Sequence, residues 1–472
     1  GRVAARIESR GIPTVTLART DFLGVLYNGA SGMGFDRELS MVDFPIDQFL
    51  VGSDISPVAE RAADFRAGLT DWSPSANETG MREPPKVRVE ANGYEAATDQ
   101  MNQLFLRNTW GDGLPVSPPT SERVDWILKG TNLPRDQVIG KIMPKGGIAT
   151  VETIAVSLAM AGGRPEYLPV LIAAVDAFLD PTLEHDKLQA TSGSTFPVII
   201  VNGPIAKEIR LNSGFGLLGP DPQHPAGASI GRAMRLLQQN VGGALPGVGT
   251  MAIFGGMRYT NAVFAEDEEG LPEGWKPVSS DMAGKSGSLN TVTVYVGSSA
   301  SNIVRRGVGK EEAMEEAEQS LHRVASYLGA SCVHYTSGWA NGTPGALLIP
   351  RPVAMQLNNL GWTSKQAVKE FLWNKSKVPQ AVVQETGLKQ WIEAASEPET
   401  VASADAEMWP ISQSPGQIIV VVAGGAHPTH NFWMQAMSPS VVCREIATPG
   451  NWQSLVADAE LELGPGGDMC VI

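Results

Sequence analysis

Several residues in this chain carry atoms suited to proton transfer or to holding a small polar molecule, and they cluster at the ends of apolar runs. Glu266 leaves the strand-like run T-N-A-V-F-A and opens the acidic stretch Glu266-Asp267-Glu268-Glu269. A carboxylate leaving a buried strand is a candidate general base or metal ligand. Asp267 to Glu269 read as a solvated acidic run, which leaves Glu266 as the candidate of the four. His427 and His430, in G-G-A-H-P-T-H, follow a second buried run at 417–422. Two imidazoles three residues apart can move protons or bind a metal. No third ligand is evident, so no metal is assigned, and a loop histidine without chemistry is the plain alternative.

Asn202, in N-G-P, and Asn212-Ser213, in N-S-G-F-G, offer amide and hydroxyl groups on glycine-rich loops. Such groups can bind a carbonyl or carboxylate, with help from helix N-termini. The same residues also make ordinary turns. Arg164 and Glu166, in G-G-R-P-E-Y, sit between two helix-like segments. Arg164 can clamp a substrate carboxylate bidentately, or the two side chains can form a structural pair that sets the helix angle. Cys332 and His334 lie two apart on a strand-like stretch and are expected to share a face. A Cys-His pair can be nucleophilic, whereas a buried free cysteine is commonly inert. No G-x-G-x-x-G or Walker spacing occurs, and no cofactor is identified.

The elements that must position these groups alternate. Phe196 to Val201 is a short apolar run bounded by turn residues, as in a strand buried on both faces. Asn202-Gly203-Pro204 stops it, and Pro204 suits the first turn of a helix. The mouth beyond the carboxyl end of such a strand is where α/β proteins place ligands, and Asn212-Ser213-Gly214 and Glu266 are expected to converge there. Helical spacing at Ile154 and Leu158, at Leu168, Leu171, Val175 and Phe178, and again at Ile230, Met234, Leu237 and Val241 predicts amphipathic helices. Strands are expected at 250–254, 260–265, 290–296 and 417–422. A helix is expected over 310–327, followed by a strand ending S-C-V-H-Y. The whole predicts an α/β fold with mixed or mostly parallel sheets and helices on both faces. Two to three domains are expected: residues 1–67, a Pro-rich linker over 68–95, and a large unit with halves 96–305 and 306–472. Those halves leave room for a degenerate duplication.

The totals narrow the function classes. The chain has 472 residues, a net charge of −14, and 43% hydrophobic residues. Without a Lys/Arg-rich block, that acidity argues against nucleic acid as a partner. No apolar run approaches membrane-spanning length, so no membrane partner is expected. The three cysteines, 332, 443 and 470, have no C-x-x-C spacing, which points to a reducing, cytoplasmic setting. A homo-oligomer binding a small molecule is the default expectation. The chain opens directly in a helix-like segment, then G-I-P and a strand. That predicts a preceding piece removed or carried by a companion chain, with a chosen segment as the plain alternative.

The opening A-R-I-E-S-R-G-I-P-T-V-T-L-A resembles the helix–Gly-Ile-Pro–strand segment of UGSC-type (seleno)proteins. It is also similar to the B components of glycine, sarcosine and betaine reductases. The resemblance covers about the first 60 residues, and the redox motif that defines the family is absent. The stretches W-G-D-G-L-P-V-S-P-P-T, A-G-G-R-P-E-Y-L-P, V-N-G-P-I, N-S-G-F-G and A-G-G-A-H-P-T-H resemble the uncharacterised bacterial domain that accompanies UGSC-type domains. The resemblance implies a reductase- or lyase-type enzyme cleaving a carbon–heteroatom bond, with the thiol or selenol supplied by a preceding segment or partner chain. Asn202, Asn212, Ser213 and Arg164 would hold substrate, and Glu266 with His427 or His430 would move protons. A thiol-independent hydrolase or hydratase and a non-catalytic scaffold subunit are the alternatives.

Overall fold

The computed structural model describes residues 2–32, 34–35, 39–74, 86–255, 262–304, 313–335, 344–381, 406–409, 411–412 and 414–464. The chain begins with helix α1 (Arg2–Glu8), strand β1 (Thr16–Arg19), helix α2 (Leu23–Gly32) and strand β2 (Met41–Phe44). β1 and β2 pair in parallel from Thr16↔Met41 to Arg19↔Phe44. The stretch from Gly24 forms α2 although it carries three glycines. Burial of Ala30 against Phe35 outweighs the weak helix propensity of its glycines. Short helices α3 (Ser56–Glu60) and α4 (Ala62–Thr70) follow, and α5 (Tyr94–Asn108) starts beyond the Pro-rich stretch.

Helix α6 (Ser121–Leu128) is capped by Thr120, whose side chain accepts from the Arg123 N–H. Strands β3 (Val138–Ile142) and β4 (Gly147–Thr150) form an antiparallel hairpin that the sequence reading missed. Helices α7 (Val151–Met160), α8 (Leu168–Phe178) and α9 (His185–Ala190) lead into β5 (Phe196–Asn202). Next come α10 (Ile205–Glu208), α11 (Pro225–Asn240), β6 (Ala262–Ala265), α12 (Val278–Ala283) and β7 (Thr291–Val304). The second half comprises α13 (Ala313–Tyr335), β8 (Gly345–Ile349), α14 (Arg351–Asn359) and α15 (Lys365–Lys375). Strands β9 (Val378–Pro379) and β10 (Met408–Trp409) pair with each other, and β11 (Ile419–Val422), β12 (His430–Glu445) and α16 (Trp452–Leu463) complete the described chain.

Two expectations change. Residues 250–254 form no strand and carry only an isolated bridge from Thr250 to Pro246. The stretch S-C-V-H-Y is the end of α13, not a strand. The Cys332–His334 pairing expected of a strand rested on that strand, and the side chains of 331–335 lie outside the described residues.

The fold is α/β, built on one six-stranded mixed sheet in the order β11-β8-β12-β7-β5-β6. Each half contributes the same three-strand unit. In the first, β5 runs parallel to β6 and antiparallel to β7. In the second, β8 runs parallel to β11 and antiparallel to β12. The long strands β7 and β12 join the units antiparallel, from His430↔Val304 to Glu445↔Thr291. This is a topological duplication about an axis between β7 and β12, with 96–305 and 306–472 sharing one sheet.

The sheet curls until its two edge strands meet, where the Asp267 N–H donates to the Val422 carbonyl at 2.8 Å. Inward-facing residues such as Phe196, Ile200, Phe264, Tyr295, Leu348 and Met434 fill the concave side together with Val278 of α12. The outward alternation of the first unit packs under α7, α8 and α11, and that of the second under α13, α14 and α15. No helix among the described residues is long and apolar enough to cross a membrane.

Candidate functional site

The seam between β6 and β11 gathers most of the polar residues singled out in the sequence. On β6, Ala262 and Phe264 point inward, so the next residue in that alternation, Glu266, also points inward. Its carboxylate is fully buried, as is its partner Lys365, at 0% and 1% side-chain exposure. Oε1 accepts from Lys365 Nζ at 2.5 Å and from the Val422 N–H at 3.2 Å. Oε2 accepts from Asn202 Nδ2 at 2.8 Å and from the Val278 N–H at 2.7 Å. A carboxylate offers about four lone-pair positions. All four are filled, so in this arrangement Glu266 has none left for a substrate proton.

Lys365 opens α15 behind the Ser364 cap, and Lys369 follows one turn later on the same side. Lys369 pairs with Asp281 of α12 at 2.6 Å. Burial pushes the Lys369 ammonium below its usual range, and Asp281 only partly offsets this. Glu268, expected to be solvated, accepts from Asn202 Nδ2 at 2.9 Å and from the Gly203 N–H at 2.6 Å. Asp267 caps the following turn at the Gly270 N–H. Of the acidic run, Glu269 is the exposed member, and it pairs with Lys207. The run fixes backbone because its residues leave the sheet where unpaired N–H groups gather.

Two glycine loops meet beside this lock. The Asn212 carbonyl accepts from the Ala265 N–H at 2.9 Å, and the Ser213 carbonyl accepts from the Gly424 N–H at 2.8 Å. The Phe215 ring lies over Gly425, where a Cβ would sit 2.2 Å from the ring. The Asn212 side chain shapes its own loop, donating to the Phe215 carbonyl at 2.7 Å and accepting from the Gly214 N–H at 2.7 Å. Asn202, Asn212, Ser213 and Glu266 therefore converge as expected, with the Gly424–Gly425 loop joining them. The two amides act on protein partners in this arrangement.

The histidines lie along these loops. His427 Nδ1 and His430 Nδ1 are 3.0 Å apart, and Thr429 Oγ1 is 3.0 Å from the first and 3.2 Å from the second. A third imidazole was not anticipated. His224 Nδ1 is held by Asp221, and Asn212 reaches that carboxylate at 3.5 Å. The hydrogen bond from His224 holds the Asp221 carboxyl below its usual range. A carboxylate that orients one ring nitrogen leaves the other directed outward, the arrangement of an acid–base histidine. The residues flanking this pair, Pro220 on one side and Gly227 and Ala228 on the other, line a shallow pocket with Leu217, Leu218 and Val263.

Arg164 and Glu166 pair with each other instead of joining the seam. Arg164 Nε meets Glu166 at 2.5 Å, Nη1 meets Glu462 of α16 at 2.8 Å, and the guanidinium lies over Trp126. Burial raises the Glu166 carboxyl despite Arg164. This is the structural pair that was weighed against a substrate clamp. Cys443 is a half-buried free cysteine whose register partner is Thr293, far along β7 from the His430 partner Val304. Among the described residues no three His, Cys, Asp or Glu side chains gather as a metal site.

The sequence held signals for what was missed. A lysine in the first turn of a helix opposes the helix dipole, so Lys365 marks a place where another constraint wins. The D-P-Q-H spacing places Asp221 and His224 one turn apart ahead of α11. Comparison with family models, curated proteins and solved structures returns no match.

Proposed function

We propose that this chain is an enzyme that cleaves a carbon–heteroatom bond in a small polar organic molecule, moving protons through the imidazoles beside the seam. The observation that carries this reading is the contact between the 212–216 and 424–425 loops, which joins the segment of the oriented Asp221–His224 pair to that of His427 and His430. General acid–base groups of this type contribute about 10²–10⁴-fold to a rate. Glu266 and Asn202 serve as the lock that holds the loops in place. Ser213 and the glycine backbone are left as the groups that face substrate.

The resemblance of the opening to UGSC-type segments supports the reductase or lyase form, with a thiol or selenol brought by a companion segment. The distance of Cys443 from the histidines along β7 favours the second reading, in which the imidazoles activate water and no thiol is needed.

The test is a screen of small carboxylic acids bearing amino, N-methylamino or trimethylammonio groups, run with and without a dithiol. Turnover that falls at least about tenfold in His224→Ala or His427→Ala supports the proton-transfer reading. Dithiol dependence then separates the reductase form from the hydrolase. Turnover untouched by substitution at all three histidines sinks the proposal.

A further inference from the structure

We propose that His427 and His430 form a chelating site for a divalent first-row transition cation with right-angle nitrogen geometry, Cu²⁺ or Ni²⁺. The inference goes beyond the proposed function: a cation held by both rings would leave proton transfer to His224, and metal binding can fail or hold independently of turnover.

The argument begins with the ring nitrogens. His427 Nδ1 and His430 Nδ1 approach to 3.0 Å with their rings nearly perpendicular, at 84°. Thr429 Oγ1 completes a triangle whose sides are 3.0, 3.0 and 3.2 Å. Two neutral imidazole nitrogens can be that close only if a proton or a cation lies between their lone pairs. A hydrogen bond in which one ring donates its Nδ1–H to the other accounts for the approach, with the Thr429 N–H 3.4 Å from His427 Nδ1. With both rings in the Nε2–H tautomer, the two Nδ1 lone pairs converge on one point that a cation can take instead. With metal–nitrogen bonds of about 2.0–2.1 Å, a 3.0 Å separation gives a nitrogen–metal–nitrogen angle of about 95°. A tetrahedral zinc site would hold the nitrogens further apart. An angle near 90° suits the tetragonal geometry of Cu²⁺ or Ni²⁺ bound by nitrogen and oxygen donors.

The backbone holds the pair in this form. His430 is the first residue of β12, fixed by its register with Val304. The His427 N–H donates to the Gly425 carbonyl at 2.7 Å, and Gly424 takes φ +105° as the chain leaves β11. Pro428 stiffens the two-residue spacer. Both rings remain partly open to solvent, so water can fill the other coordination positions, with the Thr429 hydroxyl hydrogen-bonding one of them.

The test is equilibrium dialysis of tag-free chain against Cu²⁺ and Ni²⁺, with electron paramagnetic resonance of the Cu²⁺ form. One equivalent should bind, with hyperfine structure from two imidazole nitrogens. Thr429→Val should weaken binding about tenfold, as removal of an outer hydrogen-bonding group does. His427→Ala and His430→Ala should each weaken it more, and the double variant should abolish it. Unchanged circular dichroism and thermal midpoint of the metal-free variants would show that the loop substitutions leave the fold intact. Wild-type affinity in the double variant, or a Cu²⁺ spectrum without imidazole nitrogens, would overturn the assignment.

Discussion

The two halves of the sheet repeat one topology and treat the end of the equivalent strand in opposite ways. β6 ends in Glu266, Asp267 and Glu268, which turn their oxygens onto backbone N–H groups, Asn202 and Lys365. β11 ends in Ala423, Gly424 and Gly425, and its chain carries on to His427 and His430 with no such lock. The same contrast holds one strand inward. β5 closes on Asn202 and is followed by Gly203-Pro204, whereas β8 is followed by Pro350-Arg351-Pro352; with Val201 and Ile349 as matching positions, a glycine in one half stands where the other has arginine. Polar residues leaving a strand can therefore either close a fold or offer chemistry, and burial separates the two. The first half supplies the carboxylates of the clasp, which Lys365 and the Val422 N–H of the second half complete, and the imidazoles come from both halves, His224 from the first and His427 and His430 from the second.

The sharpest way to break the comparison is to open the clasp. Lys365→Ala leaves the Glu266 carboxylate buried without its cation. Removing one member of a buried pair typically destabilises by about 3–5 kcal/mol. Urea unfolding should show a loss of that order, and the Glu266→Gln/Lys365→Met double variant, which removes both charges but keeps an amide oxygen for the buried N–H groups, should recover part of it. A Lys365→Ala protein as stable as the wild type would mean that the seam is not a lock.

Gly203 tests the same half through backbone. It adopts φ +95°, and a Cβ there would lie 2.7 Å from the Leu289 carbonyl oxygen. Strain and overpacking each cost about 1–3 kcal/mol, so Gly203→Ala should destabilise by roughly 2–6 kcal/mol. Arg351→Ala, at the matching place in the second half, should change stability by less than about 0.5 kcal/mol. Equal losses at both sites would erase the contrast.

How much of this was legible in the sequence follows from the same physics. β5 and β11 could be read as buried strands because both of their faces are apolar, a pattern that survives any tertiary context. The helices with apolar positions three or four apart also emerged where expected, at α7, α8 and α11. Local pattern failed where packing overrode it. α2 forms despite its glycines, and α13 runs through Gly329 to Tyr335 where a strand was expected. Convergence of Asn202 and Glu266 was foreseeable because they stand at the carboxyl ends of neighbouring strands, and Asn212 and Ser213 lie only ten and eleven residues beyond β5, past the short α10. The state of Glu266 was not, because Lys365 lies 99 residues away in the chain. His224 and Asp221 were hidden by turn residues that read as a featureless loop.

The clasped half also ties its outer layer by charge, and that tie gives a pH signature. Arg232 of α11 holds Asp112 through two hydrogen bonds, at 2.8 and 3.0 Å. Burial alone would raise the Asp112 carboxyl, but the Arg232 pair outweighs it and holds it below the ordinary 3.8. A carboxyl depressed in the folded state contributes stability above its unfolded value and loses it as pH falls through the folded one. The wild type should therefore lose this contribution below about pH 4, whereas Asp112→Asn should lack it at every pH. At neutral pH the substitution should cost about 1.5–3 kcal/mol, the range for hydrogen bonds to charged groups. An unfolding midpoint of Asp112→Asn that tracks the wild type from pH 3 to 7 would deny the tie its role.

The smallest stability effect is expected at the open end of the second half, and that smallness is informative. His427 is exposed and His430 half-exposed, and their nearest polar partners are each other and Thr429. Replacing either ring by alanine removes no apolar core contact and strands no buried charge. The expected change is within about 0.5 kcal/mol. If the seam carries the fold and this loop carries chemistry, these substitutions should leave the thermal midpoint in place while turnover or metal binding collapses. A loss of stability comparable to that of Lys365→Ala would instead make the imidazole pair a second clasp, and the two ends of the repeat would then do the same work.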